Sequence, residues 1–447
     1  MNPSVYLVSL GCAKNLVDSE VMLGSLLKAN YSTEHSPARA EIIIVNTCAF
    51  IQAAKEEALE TIVELAIQKK IGACKVLIVT GCLPQRYRRS LSELLPEVDI
   101  FIGTGEFYRI IEIIDAYREK KVTPRFYLRN PRYLYDHTTP RVNTSLPGTA
   151  FVKIAEGCSH RCSFCIIPKV RGPFRSRHPD SIIREVFNLS KQGIKELNLV
   201  AQDTTMYGKD LSPPAELTGL LKQLATVDGI AWIRLLYANP QNLSNELLEA
   251  MRAEEKICKY LDLPLQHINA EILKAMNRNH GFQGIRELIE KIRTTIPGVT
   301  IRTTMMVGFP GETEAQFTEL LDFVRQVRFD RLGVFTYSHE EGTSAARLLH
   351  QVPEKIKEER RKLIMKVQAS ISREKNQKLI GTMQNVLVEK HRKEGGVGRT
   401  AGQAPDVDGI TRVTADGPLN LGRIYPVLIT GAGVYDLKGT VFEPHRF

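Results

Sequence analysis

A chain of 447 residues, 43% apolar and 25% charged, is long enough for two to four domains and has an ordinary globular composition. No apolar run approaches the roughly 18 residues of a membrane span, and MNPSVYLVSLGC lacks the basic region, apolar core and cleavage site of an export signal. Eight cysteines are too few for a disulfide scaffold of this length, so a reducing, cytoplasmic setting with no membrane partner is expected.

The net charge of +10 is informative through its distribution. Residues 1–118 carry 12 basic and 14 acidic side chains and residues 376–447 carry 9 and 7, so the middle holds 39 basic against 29 acidic. Part of that excess lies in KKVTPRFYLRNPRYLYDHTTPR (Lys120 to Arg141) and part in KIKEERRKLIMK (Lys355 to Lys366). Such a field favours an anionic partner, a ribonucleoprotein surface included. Solvated helix faces and a linker account for the same charges equally well.

In chain order, VYLVSLGC, EIIIVNTC and VLIVTGC are short β-rich runs that each end in a cysteine: Cys12, Cys48 and Cys82. Between them, DSEVMLGSLLKAN and AFIQAAKEEALETIVELAIQKK space their apolar residues at the helical period. The alternation predicts a parallel sheet, and ligands of such sheets gather at the carboxyl ends of the strands. One cysteine after a strand is more often a small buried hydrophobe. Three at equivalent positions, 36 and 34 residues apart, point to a joint metal site. Cys74 precedes its strand and belongs at the opposite edge, as packing, and Cys258 before YLDLPLQH is read the same way.

From Thr149 a second alternation begins. AFVKIAEG, ELNLVAQD, WIRLLYANP, KYLDLPLQH, TIRTTMMVGFPG and RLGVFTYS read as strands with helical stretches between them, about six β/α units where a full barrel has eight. Polar residues cluster after these strands: Glu156, Gln202 and Asp203, Asn239, Gln266 and His267, and Glu312. That rim carries the chemistry of barrels. Trp232 opens a strand and reads as core, Thr313 and Gln316 fit a helix-capping box, and His178, His280 and His339 lack metal-ligand spacing.

After the first of these strands comes EGCSHRCSFCIIP, with Cys158, Cys162 and Cys165 spaced C-x3-C-x2-C. A closed zinc site takes four ligands, usually as two pairs. Three thiolates instead can hold three irons of a 4Fe–4S cluster and leave the fourth iron open. This motif, after the first strand of a partial barrel, resembles the radical S-adenosylmethionine (SAM) enzymes, whose open iron chelates SAM. The resemblance implies a SAM-contacting backbone at Phe164, which precedes the last cysteine, and adenine contacts at Val307 and Gly308. Many relatives carry Gly-Gly-Glu after the second strand to receive the ammonium of SAM. Here the stretch reads Ala201-Gln202-Asp203, which leaves Gln202 or Asp203 as the acceptor.

From about residue 376 the chain turns to short runs rich in Gly and β-formers, such as IYPVLITGAGVYDLKGTVF, expected to form a small antiparallel OB-like barrel. Its charge of +2 argues against a strong phosphate-binding face.

A three-cysteine domain (1–118), a linker (119–143), a radical SAM core (144–375) and a TRAM-type barrel (376–447), in that order, resemble the methylthiotransferases along the whole chain. SLGCAKNLVDSE, GCSHRCSFCIIP, PLQH, GFPGETE, FDRLGVFTYSHEEGT and APDVDG look like the branch that modifies a ribosomal protein. The resemblance implies two 4Fe–4S clusters, one on each cysteine triad. One SAM is cleaved to a 5′-deoxyadenosyl radical that removes a hydrogen, and a second SAM methylates a cluster-bound sulfur. The implied product is a methylthio group on the β-carbon of an aspartate of small-subunit ribosomal protein number twelve, free or in the assembling ribosome. An electron donor and a sulfur donor are implied as further partners. The alternative is the tRNA branch, which thiomethylates an adenosine.

Overall fold

The computed structural model describes residues 3–119, 121, 124–278 and 282–442. His280 falls outside them. The chain forms two compact units: residues 1–144, 155–177 and 338–346 make one, and residues 145–154, 178–337 and 347–447 the other.

The first unit is built on six parallel strands. They are β1 (Ser4–Ser9), β2 (Ser32–Thr33), β3 (Ile42–Thr47), β4 (Val76–Gly81), β5 (Ile100–Gly103) and β6 (Phe126–Tyr127), in the order β2-β1-β3-β4-β5-β6. Every residue of IIIVNT and VLIVTG is buried, the continuous apolar run that a parallel strand covered on both faces requires. On one face Ile43, Val45, Leu77, Val79 and Phe101 pack with Ala58 and Ile62 of the helix Gln52–Ala66. The same core takes Ile166 and Val170 from the segment around the short helix Ile167–Arg171.

Much of the basic stretch Lys120 to Arg141 is structural. It supplies β6, where Phe126 stacks on Phe101 at 5.0 Å between ring centroids. Arg125 donates to the carbonyls of Leu95, Pro96 and Val98, and Arg141 forms a buried ion pair with Glu20 at 2.6 Å.

The chain then passes through β7 (Thr149–Lys153) of the second unit and returns to the first as β8 (Ala155–Glu156) and β9 (Arg175–Ser176), a short antiparallel pair. The second unit continues with β10 (Glu196–Val200), β11 (Trp232–Leu235), β12 (Ile257–Gln266), β13 (Thr300–Val307) and β14 (Arg331–Thr336). Their order, β14-β13-β12-β11-β10-β7, is parallel throughout, the six-strand partial barrel expected from the alternation. Trp232 is core, as read. Thr313 and Gln316 form both bonds of the capping box that starts the helix Glu314–Val327.

A closed barrel follows: β15 (Met383–Arg392), β16 (Gly395–Thr400), β17 (Thr411–Thr414), β18 (Ile424–Ala432) and β19 (Leu437–Val441). All its pairs are antiparallel except β17–β19. Five strands cannot alternate direction around a ring, so closure forces one parallel pair.

This small barrel joins the six-strand sheet through buried charge. Arg399 of β16 pairs with Glu196, the first residue of β10, at 2.5 Å and with Glu389 of β15. Arg234 of β11 pairs with the same Glu196 at 2.8 Å. Asp408, from the APDVDG segment, accepts a 2.8 Å bond from Tyr260 of β12 and lies 3.8 Å from Arg302 of β13. The anchor therefore falls near the amino ends of the strands, away from the rim where barrel chemistry is carried.

Candidate metal centres

Cys12, Cys48 and Cys82 follow β1, β3 and β4, three strands adjacent in the sheet. Cys12 is the N-cap of the helix Ala13–Lys28, and Cys82 begins the helix Cys82–Tyr87. Gly11 sits at φ +87°, where a Cβ would lie 2.5 Å from Cys48 Cβ, so only glycine lets the Cys48 side chain close over the Cys12 turn. Asn15, one turn into the helix, stitches the loops together. Its Nδ2 donates to Leu10 O at 2.9 Å and Thr47 O at 3.0 Å, and its Oδ1 accepts from Cys82 Sγ at 3.8 Å.

The three thiols feel one another. Burial pushes Cys82 up to about 12 although Arg171 opposes it, and the charges of Cys48 and Cys12 add to the rise. Cys48 is raised by burial and then by Cys12. Burial also acts against Cys12, but Lys14, Arg171 and the backbone N–H groups of Asn15 and Lys14 outweigh it and lower its pKa. A helix N-terminus beside cations favours a thiolate in this way. Three neighbouring thiolates repel, and a bound cation removes both the repulsion and the burial cost.

The second triad lies in the loop that the β8–β9 pair clasps at its base. Cys158 N donates to Gly172 O at 3.0 Å, and Cys165 N donates to Cys162 O at 3.1 Å. Ser163 O accepts from Ala345 N at 2.8 Å and Ser344 Oγ at 3.2 Å, so residues 338–346 brace this loop. The brace also reaches the first triad. Glu340 forms buried ion pairs with Lys55 at 2.8 Å and Arg86 at 2.6 Å, and Arg86 donates to Ala49 O, next to Cys48, at 2.7 Å.

Arg171, at the end of the helix Ile167–Arg171, is buried among groups from both loops. Its Nη1 donates to Asp18 Oδ2 at 2.9 Å and Glu156 Oε2 at 3.1 Å, and its Nη2 to Asn15 Oδ1. Burial works against its charge, but Glu156, Asp18 and the thiols of Cys82 and Cys12 raise its pKa well above the usual arginine value.

Among the described residues no three His, Cys, Asp or Glu side chains converge as ligands of a single metal ion do. Thiolates that each bind a different iron of a cluster need no such convergence, and each triad offers three thiols without a fourth cysteine in its loops. The donor set fits a cluster with one open iron. Cys74 stands apart, ahead of β4, its Sγ turned to Val76 O at 3.6 Å. Cys258 is buried within β12, and burial pushes it up to about 11.

The SAM-contact candidates divide between the units. Phe164 is half-buried in the second cysteine loop. Gln202 and Asp203 follow β10, where Asp203 Oδ1 accepts from Thr205 N at 3.0 Å and Thr205 Oγ1 at 2.5 Å, capping a turn. Val307 ends β13 fully buried, and a Cβ on Gly308 would lie 2.2 Å from Lys357 Cγ. Glu312 Oε2 accepts from Gly308 N at 2.7 Å, and its Oε1 from Arg360 at 2.8 Å. His267 is fully buried 3.9 Å from Glu312, and burial and then Arg360 push its pKa down to about 3, so it stays neutral. His178 and His339 lie in exposed settings.

The sequence reading missed Asn15, Asp18, Arg171 and Glu340. AKNLVDSE did carry a signal, since Asn15, Asp18 and Ser19 share one helix face at i, i+3 and i+4, polar yet buried. Arg171 carried none.

Consecutive parts of the chain match three families, described as Uncharacterized protein family UPF0004 (residues 4–103), Radical SAM superfamily (152–324) and TRAM domain (380–442). Among solved structures it resembles the radical S-adenosylmethionine methyltransferase TsrM from Kitasatospora setae with cobalamin and a 4Fe–4S cluster bound. The TM-score is 0.59 at 15% identity, over 86% of this chain and 81% of that one, a likeness of fold alone. Fold, cysteine loops and family matches together define a radical SAM enzyme.

The chain is 51% identical over 440 residues to the ribosomal protein uS12 methylthiotransferase RimO of Geotalea uraniireducens, covering 98% of each. It is 50% identical over 442 residues to that of Geobacter sulfurreducens, again covering 98% of each. Against that of Desulforamulus reducens the figure is 48% over 444 residues, 99% of this chain and 100% of the relative. The chain belongs to this methylthiotransferase family and works with SAM and two 4Fe–4S clusters.

Proposed function

We propose that the chain places a methylthio group on the β-carbon of an aspartate of ribosomal protein uS12, consuming two SAM and a cluster-bound sulfur. Cys12, Cys48 and Cys82 hold one 4Fe–4S cluster, and Cys158, Cys162 and Cys165 hold the other. Phe164, Gln202, Asp203, Val307 and Gly308 contact SAM. The single observation that carries the reading is the pair of three-cysteine loops within one compact unit, each short of a fourth thiol. A relative at 51% identity along nearly the whole chain, named for uS12, favours the protein substrate over tRNA.

An unactivated C–H bond offers no proton that a side-chain base removes usefully, and the bound clusters and SAM supply the one-electron chemistry, the sulfur and the methyl group. The protein's own part is to hold and shield. The turn at Gly11, the Asn15 bonds and the helix start at Cys12 fix one set of thiolates, and the β8–β9 clasp and the 338–346 brace fix the other. Residues 1–118 form the first cluster domain, 144–375 the radical SAM core and 376–447 the TRAM domain. A low-potential electron donor, a sulfur donor and a cytoplasmic setting complete the picture. No helix among the described residues is long and apolar enough to cross a membrane.

The test is anaerobic turnover of reconstituted protein with reductant, sulfide and SAM, offering a uS12 peptide or folded uS12 and an anticodon stem-loop. The protein substrate should gain one methylthio mass on its aspartate. Cys48→Ala should still cleave SAM but give no product, and Cys162→Ala should do neither. Modification of the stem-loop alone overturns the protein substrate. Product from Cys48→Ala overturns the division of labour between the triads.

A further inference from the structure

We propose that Arg171 is the fixed cation of the centre held by Cys12, Cys48 and Cys82, raising its reduction potential while tying its loops to the loop of Cys158. The proposal rests on the reading that these three cysteines hold a cluster.

Two observations carry it. First, the Arg171 guanidinium is buried and bonded to three side chains on two segments: Asp18 and Asn15 of the helix that Cys12 caps, and Glu156, two residues before Cys158. Second, the group it grips lies against a ligand, since Asn15 Oδ1 accepts from Arg171 and is 3.8 Å from Cys82 Sγ.

Reducing a thiolate-ligated cluster adds one negative charge to a site with little water to screen it. A permanent positive charge beside it stabilises the reduced form and raises the potential, and a nearby carboxylate does the opposite. Guanidinium suits the place because it cannot lose its proton, and its planar fork meets several acceptors where a lysine ammonium offers a point charge. Asp18 and Glu156 hold that fork in position, and their own charges oppose reduction. Removing the cation or a carboxylate should therefore move the potential in opposite directions, which a purely mechanical strut does not predict.

The experiment uses the full chain with Cys158, Cys162 and Cys165 changed to alanine, so that one centre remains, and titrates it anaerobically with dithionite under EPR. Arg171→Gln should retain iron and shift the potential downward, Arg171→Lys should stay nearer the parent, and Asp18→Asn should shift it upward. A Gln variant at the parental potential, or Lys and Gln shifting equally, overturns the proposal. Should Arg171→Gln bind no iron, Asp18→Asn decides: an upward shift supports the fixed cation and an unchanged potential overturns it. A parent without iron overturns the cluster assignment itself, an outcome separate from all of these.

Discussion

Arg171 and Arg399 are two buried guanidiniums gripped by two carboxylates each, and they answer to different demands. Arg399 meets Glu196 and Thr149, the first residues of β10 and β7, and Glu389 of β15, all of them oxygen groups in the second unit. Arg171 meets Asp18 and Glu156 but also Asn15, which bonds a thiol that follows a strand's carboxyl end. In a parallel β/α unit the amino ends are the face of stability and the carboxyl ends the face of chemistry. The same side chain in nearly the same carboxylate setting is a joint in one place and part of a reactive centre in the other. What separates the two is the edge of the sheet and the Asn15 link to Cys82, since the buried Cys258 also feels the charge of Arg399 without a bond between them.

The widest gap between the two regions should appear when a proposed ligand is removed. Cys82→Ala should abolish methylthio product and lower bound iron from about eight to about four, one cluster's worth. Trp232, the single tryptophan, lies buried in β11 of the second unit and should report an unchanged unfolding midpoint there in iron-free protein. A variant that keeps all its iron breaks the comparison at its root.

The converse change is Arg399→Met. It leaves Glu196 with Arg234 alone and Glu389 without its arginine, and breaking a buried pair in this way costs about 3–5 kcal/mol. Denaturant titration followed by Trp232 fluorescence should show that loss, while iron per folded protein stays at the parental value. Iron lost in proportion to stability would mean that the two regions are not separable.

Acid sharpens the same point. Burial opposes ionisation of Glu196, yet Arg399 and Arg234 hold its pKa down to about 2, below the ordinary 4.5. The folded value lies under the unfolded one, so the carboxylate's contribution is complete above about pH 4.5 and is lost as pH falls toward 2. By linkage that contribution is about 3 kcal/mol. Trp232-monitored stability of the iron-free protein should fall through this window, and more shallowly in Arg399→Met. Equal slopes in the two proteins would remove Glu196 as the cause.

The two regions were not equally legible in the sequence. Periodicity laid out both sheets, because β-rich runs ending in cysteine or polar residues alternate with helical stretches along the whole chain, and the equal placement of Cys12, Cys48 and Cys82 made the first site visible. What holds the sites together was not visible. Arg171 is 153 residues from Asp18 and 156 from Asn15, and Glu340 is 285 from Lys55, separations at which no local pattern links partners. In the sequence, APDVDG and AKNLVDSE carry resemblance but no mechanism. The structure gives them one: Asp408 anchors the small barrel, Asn15 stitches the loops of the first triad, and Asp18 holds Arg171.

The smallest expected effect tests the direction of β4 itself. Cys74 and Cys82 lie either side of the same strand in the same unit, both buried, and burial pushes both thiols up. Only Cys82 has two other thiols acting on it. Cys74 lies at the amino edge with its Sγ toward Val76 O, packed in the core with Ala40 and Leu77. Cys74→Ala should therefore remove one sulfur's worth of packing, about 1 kcal/mol, from the first unit. It should leave both the iron content and the yield of methylthio product at parental values. The side chain is smaller than what it replaces, so the variant should fold. Loss of iron in folded Cys74→Ala would place the cysteine at the wrong edge of the sheet, and with it the rule by which the other three were recognised.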